Sequence, residues 1–373
     1  MKYYVIAGEA SGDLHGSNLM KALQKEDSTA EFRFWGGDKM AAVAGKPVKH
    51  IAELAFMGFI EVVANLRTII DNMKLCKKDI ESYDPDALIL IDYPGFNMRI
   101  AKFAKSKGIQ VHYYISPQVW AWKQSRVHQL KKTVDEMYCI LPFEKEFYAG
   151  FDMAVHYVGH PLIDAIEEFK STSSSFVDLK TKYDLDERPI LALLAGSRQQ
   201  EIKIKLPIML NAISKFESHQ IIVAGAPTIS EDFYRSIAGS ADIKIFRNQT
   251  YDLLNNADLA MVTSGTATLE TALFGVPQVV CYKGSSVSYQ IAKRLIKVKY
   301  ISLVNLIMDE EIVKELIQKE LTDVNIVEEL NKFDEGERNR MKKKYESLQA
   351  KLGGRGASAK TAKLMVEKMK SRR

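Results

Sequence analysis

The sequence predicts an α/β protein of two doubly wound, Rossmann-like domains, each built on a parallel sheet. At 373 residues the chain is too long for one ordinary hydrophobic core. Apolar runs typical of buried parallel strands alternate with amphipathic helical segments. This alternation stops once, at the polar, serine-rich residues 167–176, and then restarts. We therefore expect domains at 1–166 and 177–340, the linker 167–176, and a C-terminal helix within 340–373 that packs back on the first domain or exchanges between partners.

The apolar runs place the strands of both domains. Strands are expected in the first domain at 3–8, 87–91, 109–115 and 136–142, and in the second at 189–196, 220–226, 243–246, 258–262 and 277–282. Helices are expected at 13–25 and 96–108, after Glu201, near 230–238, and at 266–275. Because ligands of such folds bind beyond the carboxyl ends of the strands, we expect the two sheets to face a central cleft.

Charge and composition restrict the partners of the chain. The net charge is +5, yet residues 332–373 carry 14 Lys and Arg against 5 Asp and Glu, a net of +9. This basic tail is either a solvated helical face or a surface that attracts anionic lipid. It has few aromatic side chains for base stacking and matches no nucleic-acid motif, so no nucleic-acid partner is expected.

Cysteine usage and hydropathy indicate the compartment. Cys76, Cys139 and Cys281 are far apart and form no CxxC pair, which argues for a reducing environment and against a structural zinc site. The N-terminal residues show no apolar export signal, and no run approaches the roughly 20 apolar residues of a membrane span. We expect a cytoplasmic protein.

The stretch MVTSGTATLE, residues 261–270, carries the clearest binding signal. An apolar strand ends in small residues that open a helix, where unpaired N–H groups and the helix dipole favour an anion. Glu270, one turn into this helix, is suited to accept hydrogen bonds from sugar hydroxyls. The alternative is an ordinary Ser/Thr-capped helix. GEASGD (8–13) lacks the GxGxxG spacing, and no GxxxxGK[ST] occurs, which disfavours nicotinamide and P-loop chemistry.

Several motifs together resemble the lipid-A-disaccharide synthase family, which has the GT-B glycosyltransferase fold. They are GEASGD, GGDKM, MGFIEV, IDYPGFN, SPQVWAW, LPFE, VGHP, GSRQQE, SGTATLE and ISLVNL, spread from residue 8 to residue 306. The resemblance implies inverting transfer from UDP-2,3-diacylglucosamine to 2,3-diacylglucosamine 1-phosphate, giving a β-1,6-linked disaccharide 1-phosphate and UDP in lipid A biosynthesis. Ala195 and Val304 replace prolines that we would expect in this family, so they affect loop geometry only.

The resemblance also implies roles for individual residues. Asp92 matches the family's base aspartate, although a turn aspartate before Pro94 is the plain alternative. Glu9 would be a second polar group at a substrate sugar, and Arg198 would clamp the diphosphate. Asn305 matches an asparagine implicated in activity. The donor would further contact a set of small residues and one glutamate: Gly196, Ser197, Ser264, Gly265, Thr266, Ala267, Thr268 and Glu270. Gln318, on a helix after Asn305, is a weaker candidate.

No metal and no cofactor are expected. The segments 84–86 (DPD) and 184–186 (DLD) fit turns better than the Asp-x-Asp of metal-dependent sugar transferases, because neither follows an apolar strand. The histidines show no metal-ligand spacing, and His160 is expected to orient a loop at the domain boundary.

An apolar stripe in residues 57–70 leaves two interpretations open. Its members recur at intervals of three and four: Phe59, Val62, Val63, Leu66, Ile69 and Ile70. The stripe either packs in the core or contacts acyl chains and the inner membrane, which would make the protein peripherally membrane-associated, with a homodimer as one possible assembly. The alternative functions are another GT-B enzyme, such as a UDP-N-acetylglucosamine 2-epimerase, or a non-catalytic nucleotide-sugar-binding membrane scaffold.

Overall fold

The chain forms two compact α/β units in a computed structural model. The structure describes residues 1–54, 66–172, 176–214, 216, 218–284 and 298–371. Unit 1 comprises Met1–Ala165 and Leu352–Arg373, and unit 2 comprises Ile166–Lys351. The expectation of two domains built on parallel sheets is therefore confirmed. The chain passes from unit 1 to unit 2 after residue 165 and returns to unit 1 after residue 351, whereas the sequence predicted boundaries at 166 and 340.

Unit 1 contains a seven-stranded parallel sheet in the order β3-β2-β1-β4-β5-β6-β7. Its strands are β1 (Lys2–Ala7), β2 (Glu31–Gly36), β3 (Lys49–His50), β4 (Ala87–Ile91), β5 (Gln110–Tyr114), β6 (Glu136–Cys139) and β7 (His156–Tyr157). Its helices are α1 (Ala10–Glu26), α2 (Asp38–Ala44), α3 (Leu66–Tyr83), α4 (Pro94–Ser106), α5 (Val119–Trp122), α6 (Val127–Thr133), α7 (Glu144–Ala149), α8 (Pro161–Thr172) and α17 (Ala357–Lys370), with α8 crossing into unit 2. β1 and β4 are neighbours inside the sheet, and all of their residues except the exposed Lys2 are buried in the core.

Unit 2 contains a six-stranded parallel sheet in the order β10-β9-β8-β11-β12-β13. Its strands are β8 (Ile190–Leu194), β9 (Gln220–Gly225), β10 (Lys244–Arg247), β11 (Leu259–Thr263), β12 (Gln278–Tyr282) and β13 (Lys314–Ile317). Its helices are α9 (Phe176–Tyr183), α10 (Gln199–Ile213), α11 (Glu231–Ala238), α12 (Thr250–Asn256), α13 (Thr266–Leu273), α14 (Leu303–Met308), α15 (Asp323–Asn331) and α16 (Glu335–Lys351).

In both sheets the direction in which successive strands are added reverses once, and this switch point defines a position for a ligand. From β1 the chain winds to β2 and β3 on one side, while β4 starts the winding on the other side. β8 and β11 make the same reversal in unit 2. In open α/β sheets this switch point opens a crevice beyond the carboxyl ends of the two strands, where ligands bind.

The predicted linker 167–176 differs from the structure over its first part. Helix α8 continues to Thr172, and α9 begins at Phe176. The apolar stripe of α8, with Leu162, Ile163 and Ile166 buried, sustains the helix into the polar residues. Serine and threonine are acceptable on the solvent face of a helix that is already nucleated.

The C-terminal segment joins unit 1 through helix α17. This helix packs against α1, and the Asp164 carboxylate accepts hydrogen bonds from the backbone N–H of Gly356 (2.6 Å) and Ser358 (3.1 Å). Those contacts cap the start of α17, because a carboxylate satisfies N–H groups that lack partners within the helix.

The apolar stripe at 57–70 lies largely outside the described residues, which resume at residue 66. Within helix α3, Ile70 of the stripe is 46% exposed, and Leu75, which lies beyond the stripe, is 44% exposed, so this helix presents apolar side chains to solvent. In the part of the chain that the structure describes, no helix is long and apolar enough to cross a membrane.

Candidate functional site

Glu9 and Asp92 lie at the switch point of the unit 1 sheet. β1 ends at Ala7 and β4 ends at Ile91, and the two strands are paired neighbours in the sheet. Gly8 follows β1 directly, and a Cβ at this position would collide with the ring of Tyr93. The glycine therefore lets the two strand-end loops approach each other, which brings the acidic side chains that follow each strand to one edge.

The backbone at Asp92 has an unusual conformation. Asp92 and Tyr93 have φ values of 44° and 47°, in the left-handed region that side chains other than glycine seldom adopt. Two buried donors hold the Asp92 carbonyl: the Asn97 Nδ2 amide at 2.8 Å and the Tyr113 hydroxyl at 2.6 Å. Strained backbone of this kind persists where surrounding contacts fix it, and it is concentrated at functional sites.

The electrostatics of this edge favour a protonated Asp92 near neutral pH. Burial, and to a smaller extent the negative charge of Glu9, raise the pKa of its carboxyl to about 7, while a hydrogen bond from the Tyr93 N–H opposes the shift. A carboxyl with a pKa near the working pH is suited to exchange a proton with a substrate hydroxyl.

Sequence analysis missed Glu144, a third acidic group on the same edge of the sheet as Glu9 and Asp92. It is 1% exposed and accepts hydrogen bonds from the backbone N–H of Ile140 (3.2 Å) and Leu141 (2.9 Å). Burial raises the pKa of its carboxyl to about 7. Nearby, the Ser116 hydroxyl lies 2.6 Å from that of Tyr148. Glu144 therefore fixes the chain as it leaves β6; only its place in the LPFE motif could have pointed to it.

The corresponding switch point in unit 2 carries the predicted phosphate cradle. β11 is followed by Ser264 and Gly265, and α13 begins at Thr266. Gly265 is the N-cap, has a φ of 137°, and offers no side-chain hydrogen bond to the helix. Gly265 and Thr266 are exposed. The helix start thus lacks the Ser/Thr cap that was the alternative, and because Gly265 and Thr266 are exposed, an anion can approach it.

Two of the predicted cradle residues serve the loop itself. Thr268 is fully buried, and its hydroxyl donates to the Gly265 carbonyl at 2.8 Å. The Ser264 hydroxyl donates to the Ile301 carbonyl at 2.7 Å. Both contacts shape the turn, which leaves Gly265, Thr266 and the half-buried Ala267 as the cradle residues accessible to a ligand.

A charged triad lies at the end of β8, next to the cradle strand. Gly196 and Ser197 lead into Arg198, which is 52% exposed and caps α10. Glu201 Oε1 lies 3.7 Å from the Arg198 guanidinium, and its Oε2 lies 3.8 Å from Lys205 Nζ. The triad therefore has two cations for one carboxylate and a net positive charge at the start of a helix.

Lys205 is a candidate that sequence analysis missed. Its side chain is only 3% exposed, and its ammonium donates to the hydroxyl of Thr263, the last residue of β11. Burial lowers its pKa, and the charge of Glu201 opposes that shift. A buried ammonium is costly without close compensation, and the Glu201 carboxylate at 3.8 Å is beyond hydrogen-bond reach. A lysine four residues after Glu201 on a helix gives no sequence signal of burial.

Glu270 lies on α13, one turn after the cradle. Its carboxylate accepts a hydrogen bond from the Tyr251 hydroxyl at 3.1 Å, and burial raises its pKa. Tyr251 thus fixes the orientation of Glu270. This geometry is compatible with a carboxylate that accepts hydrogen bonds from a sugar.

Asn305 is buried and fully hydrogen-bonded inside unit 2. Its Nδ2 donates to the Val313 carbonyl (2.8 Å) and to Glu315 (2.9 Å), while its Oδ1 accepts from the N–H of Ile312 (2.8 Å) and Val313 (3.0 Å). With every amide atom occupied, a role in positioning the structure fits better than contact with a substrate.

Glu315 connects Asn305 to the cradle. Its carboxylate also accepts from the backbone N–H of Ile301 (3.0 Å) and Ser302 (2.9 Å), and the Ile301 carbonyl receives the Ser264 hydroxyl. The chain of contacts Asn305–Glu315–Ile301–Ser264 therefore supports the cradle loop from behind.

The prediction that Gln318 lies on a helix is wrong. Gln318 follows strand β13 directly and has a φ of 55°. Strand β13 is short and includes Lys314 and Glu315, so it lacks the apolar run by which the other strands were predicted. Gln318 Nε2 is buried without a hydrogen-bond partner, at the same carboxyl-end edge as the cradle.

A metal centre has no counterpart in the described part of the chain. Those residues contain no cluster of three or more His, Cys, Asp or Glu side chains placed to bind an ion. All three cysteines are buried free thiols.

Comparisons with known proteins address the fold and the family. The similarity to solved structures is one of fold. A UDP-GlcNAc 2-epimerase from Neisseria meningitidis bound to UDP-GlcNAc matches with a TM-score of 0.65 at 12% identity, with both chains fully covered. The S. aureus MnaA-UDP co-structure has a TM-score of 0.68 at 13% identity, covering 100% of this chain and 96% of the other. Such values support the GT-B class of fold.

Sequence relatives decide the family. The profile described as Lipid-A-disaccharide synthetase matches residues 3–369. A lipid-A-disaccharide synthase from Geobacter metallireducens is 37% identical over 99% of this chain and 97% of its own length. The one from Nitrosococcus oceani is 39% identical over 97% and 95%. Matches of this length and identity, on a chain whose switch points carry the expected acidic and cradle residues, place it in the lipid-A-disaccharide synthetase family.

Proposed function

We propose that this chain is an inverting hexosyltransferase that condenses UDP-2,3-diacylglucosamine with 2,3-diacylglucosamine 1-phosphate. The products are the β-1,6-linked lipid A disaccharide 1-phosphate and UDP. The family match supports the reaction, and the geometry at Asp92 supports the mechanism most directly. Asp92 has a strained backbone and a carboxyl with a pKa of about 7, and it lies at the switch point of the unit 1 sheet.

Asp92 is the general base in this proposal. As the acceptor 6-hydroxyl attacks the anomeric carbon of the donor, its proton passes to the Asp92 carboxylate, and the bond from that carbon to the UDP oxygen breaks. Glu9 raises the basicity of Asp92 through its negative charge, and in this proposal it orients a sugar hydroxyl. Tyr113 and Asn97 hold the backbone that aims the carboxylate.

The donor is assigned to the switch point of unit 2. The N–H groups at Gly265 and Thr266 face the diphosphate, and the exposed Arg198 neutralises the charge that develops on the departing UDP. The buried Lys205 adds positive potential beneath this edge. Glu270, fixed by Tyr251, accepts hydrogen bonds from the ribose hydroxyls.

The lipid nature of both substrates requires access to a membrane surface. We assign the protein to the cytoplasmic face of the inner membrane as a peripheral protein, on the basis of its basic C-terminal segment and the exposed Ile70 and Leu75 of helix α3. A homodimer is compatible with this assignment, and sedimentation in detergent micelles would test it.

Mass spectrometry of the product made from defined acylated substrates tests the function. The expected result is one disaccharide 1-phosphate for each UDP released. Conversion of UDP-N-acetylglucosamine to its 2-epimer, with no disaccharide, would support the epimerase instead. Binding of UDP-sugar with no turnover of either kind would support the non-catalytic scaffold.

A further inference from the structure

Trp122 is an unusual surface residue of unit 1. Among the described residues six large apolar side chains are exposed, and Trp122, at 44%, is the only aromatic one. It closes the short helix α5, which follows β5 at the carboxyl-end edge of the sheet. The exposed indole therefore lies on the edge that carries Asp92, one strand away from it.

Two cations are held against this indole. Lys123 Nζ lies 4.7 Å from the ring centroid and the Arg126 guanidinium carbon lies 5.1 Å from it. The Arg126 N–H also donates to the Lys123 carbonyl at 3.0 Å, so one tight turn fixes both residues. Within the described part of the chain, neither side chain forms an ion pair with a carboxylate.

The segment that presents these cations is firmly anchored. Val119 and Trp120 are buried, and the Trp120 ring meets that of Phe143 edge-on, with centroids 5.0 Å apart. Ile115, a β-branched residue at the exit of β5, has a φ of 62°, a conformation that persists only where the surroundings impose it. A rigid loop loses little entropy when it binds a ligand.

The two positive charges on the Trp122 ring favour the binding of an anion. Two like charges gathered on one ring without a counter-ion repel each other, and a phosphate monoester relieves that repulsion through charge-assisted hydrogen bonds. Arg126 is close enough to Tyr113 for its charge to lower the pKa of the Tyr113 hydroxyl, against the larger effect of burial. That hydroxyl binds the Asp92 carbonyl, so the cations and the base share one edge.

We propose that Lys123 and Arg126, held by Trp122, form the subsite for the 1-phosphate of the acylated sugar acceptor. This inference rests on the proposed function, because it takes Asp92 as the base that meets the same acceptor. The phosphate is the acceptor's only charged group, so this subsite decides which end of the sugar faces away from Asp92 and leaves the 6-hydroxyl next to the base.

The test compares a short-chain acceptor with and without its 1-phosphate. Lys123→Ala and Arg126→Ala should each raise KM for the phosphorylated acceptor roughly tenfold, as expected for the loss of one charge-assisted contact. KM for the donor and for the acceptor without phosphate should not change. Arg126→Lys should recover part of the loss, and Lys25→Ala, an exposed lysine at the end of α1, should behave as wild type.

The remaining outcomes overturn the inference. An equal rise in KM for both acceptors, or no rise for either, would show that the two cations do not bind the phosphate. Loss of sedimentation with phosphatidylglycerol vesicles, with unchanged acceptor discrimination, would identify a lipid headgroup as the anion. If the wild type makes no disaccharide, the proposed function fails, and calorimetric binding of the acceptor still tests the subsite: phosphate-dependent binding that Arg126→Ala abolishes supports it, and binding that survives opposes it.

Discussion

At the residue scale, the candidate site depends on a few side chains whose charge is out of balance with their surroundings. Asp92 is a carboxyl placed where its charged form is disfavoured, and Lys205 is a cation buried beyond hydrogen-bond reach of its nearest carboxylate. Such residues reduce stability, and proteins retain them where function requires them. The sequence could identify Asp92 by its position after an apolar strand. Neither its left-handed backbone nor the burial of Lys205 has a sequence signal.

The raised pKa of Asp92 makes stability depend on pH. Between the unfolded value of about 4 and the folded value of about 7, the folded state binds more protons, so wild-type stability falls as pH rises. Asp92→Asn removes this loss. Its advantage in the free energy of unfolding should grow from about pH 5 to pH 7 and then level off, reaching at most about 4 kcal/mol. Urea unfolding across this range measures it, and an advantage that shrinks with rising pH would refute the assignment.

Lys205 should contribute to nucleotide affinity without contacting substrate. Lys205→Met keeps the apolar stem but removes the charge, so we expect UDP to bind roughly tenfold more weakly in calorimetry. Lys203→Met is the matched control, since Lys203 lies on the same helix with its ammonium over the Phe233 ring at the surface. Equal affinity in both variants would show that the buried charge does not act on the donor edge.

At the element scale, the order of strands and helices positions the chemistry. Strands with continuous apolar runs, such as β4 and β8, were predictable because they are buried on both faces. β2 was missed because its first half is exposed and polar residues alternate there, and β13 because its four residues include Lys and Glu. The sequence could identify the loops after β1, β4, β8 and β11 as candidate ligand loops, because polar motifs follow apolar strands there, but it gave no indication of the hydrogen bonds that support the loop after β11.

That support predicts a specific effect of Glu315. In Glu315→Gln an NH2 group replaces one of the two carboxylate oxygens and cannot accept a hydrogen bond. The N–H groups of Ile301 and Ser302, which both donate to this carboxylate, therefore lose one of their acceptors. We expect a loss of about 1–3 kcal/mol in stability and weaker UDP binding, because Ile301 holds Ser264. Glu311→Gln, which breaks only a surface pair with Lys314, should leave both unchanged. Normal UDP affinity in Glu315→Gln would separate this network from the cradle.

At the scale of the whole molecule, the fold repeats one arrangement in its two units. Each unit is a parallel sheet with one switch point, and each switch point carries the residues that the motifs predicted. Unit 1 presents carboxyls and unit 2 presents an uncapped helix start with excess positive charge. The sequence could predict this division because polar motifs follow apolar strands. The sequence left open whether the C-terminal helix packs back on the first domain or exchanges between partners, and contacts with α1 and Asp164 join residues 352–371 to unit 1.

The turnover and UDP affinity of Asp92→Asn, measured together, test the central claim most directly. If Asp92 is the base and the donor is held by unit 2, kcat should fall by roughly a thousandfold or more while the Kd for UDP stays within about twofold. In the wild type, kcat/KM should rise with pH through an apparent pKa of about 7, because the base acts in its ionised form. Near-normal turnover in Asp92→Asn, or a loss of UDP binding that matches the loss of rate, would contradict the account.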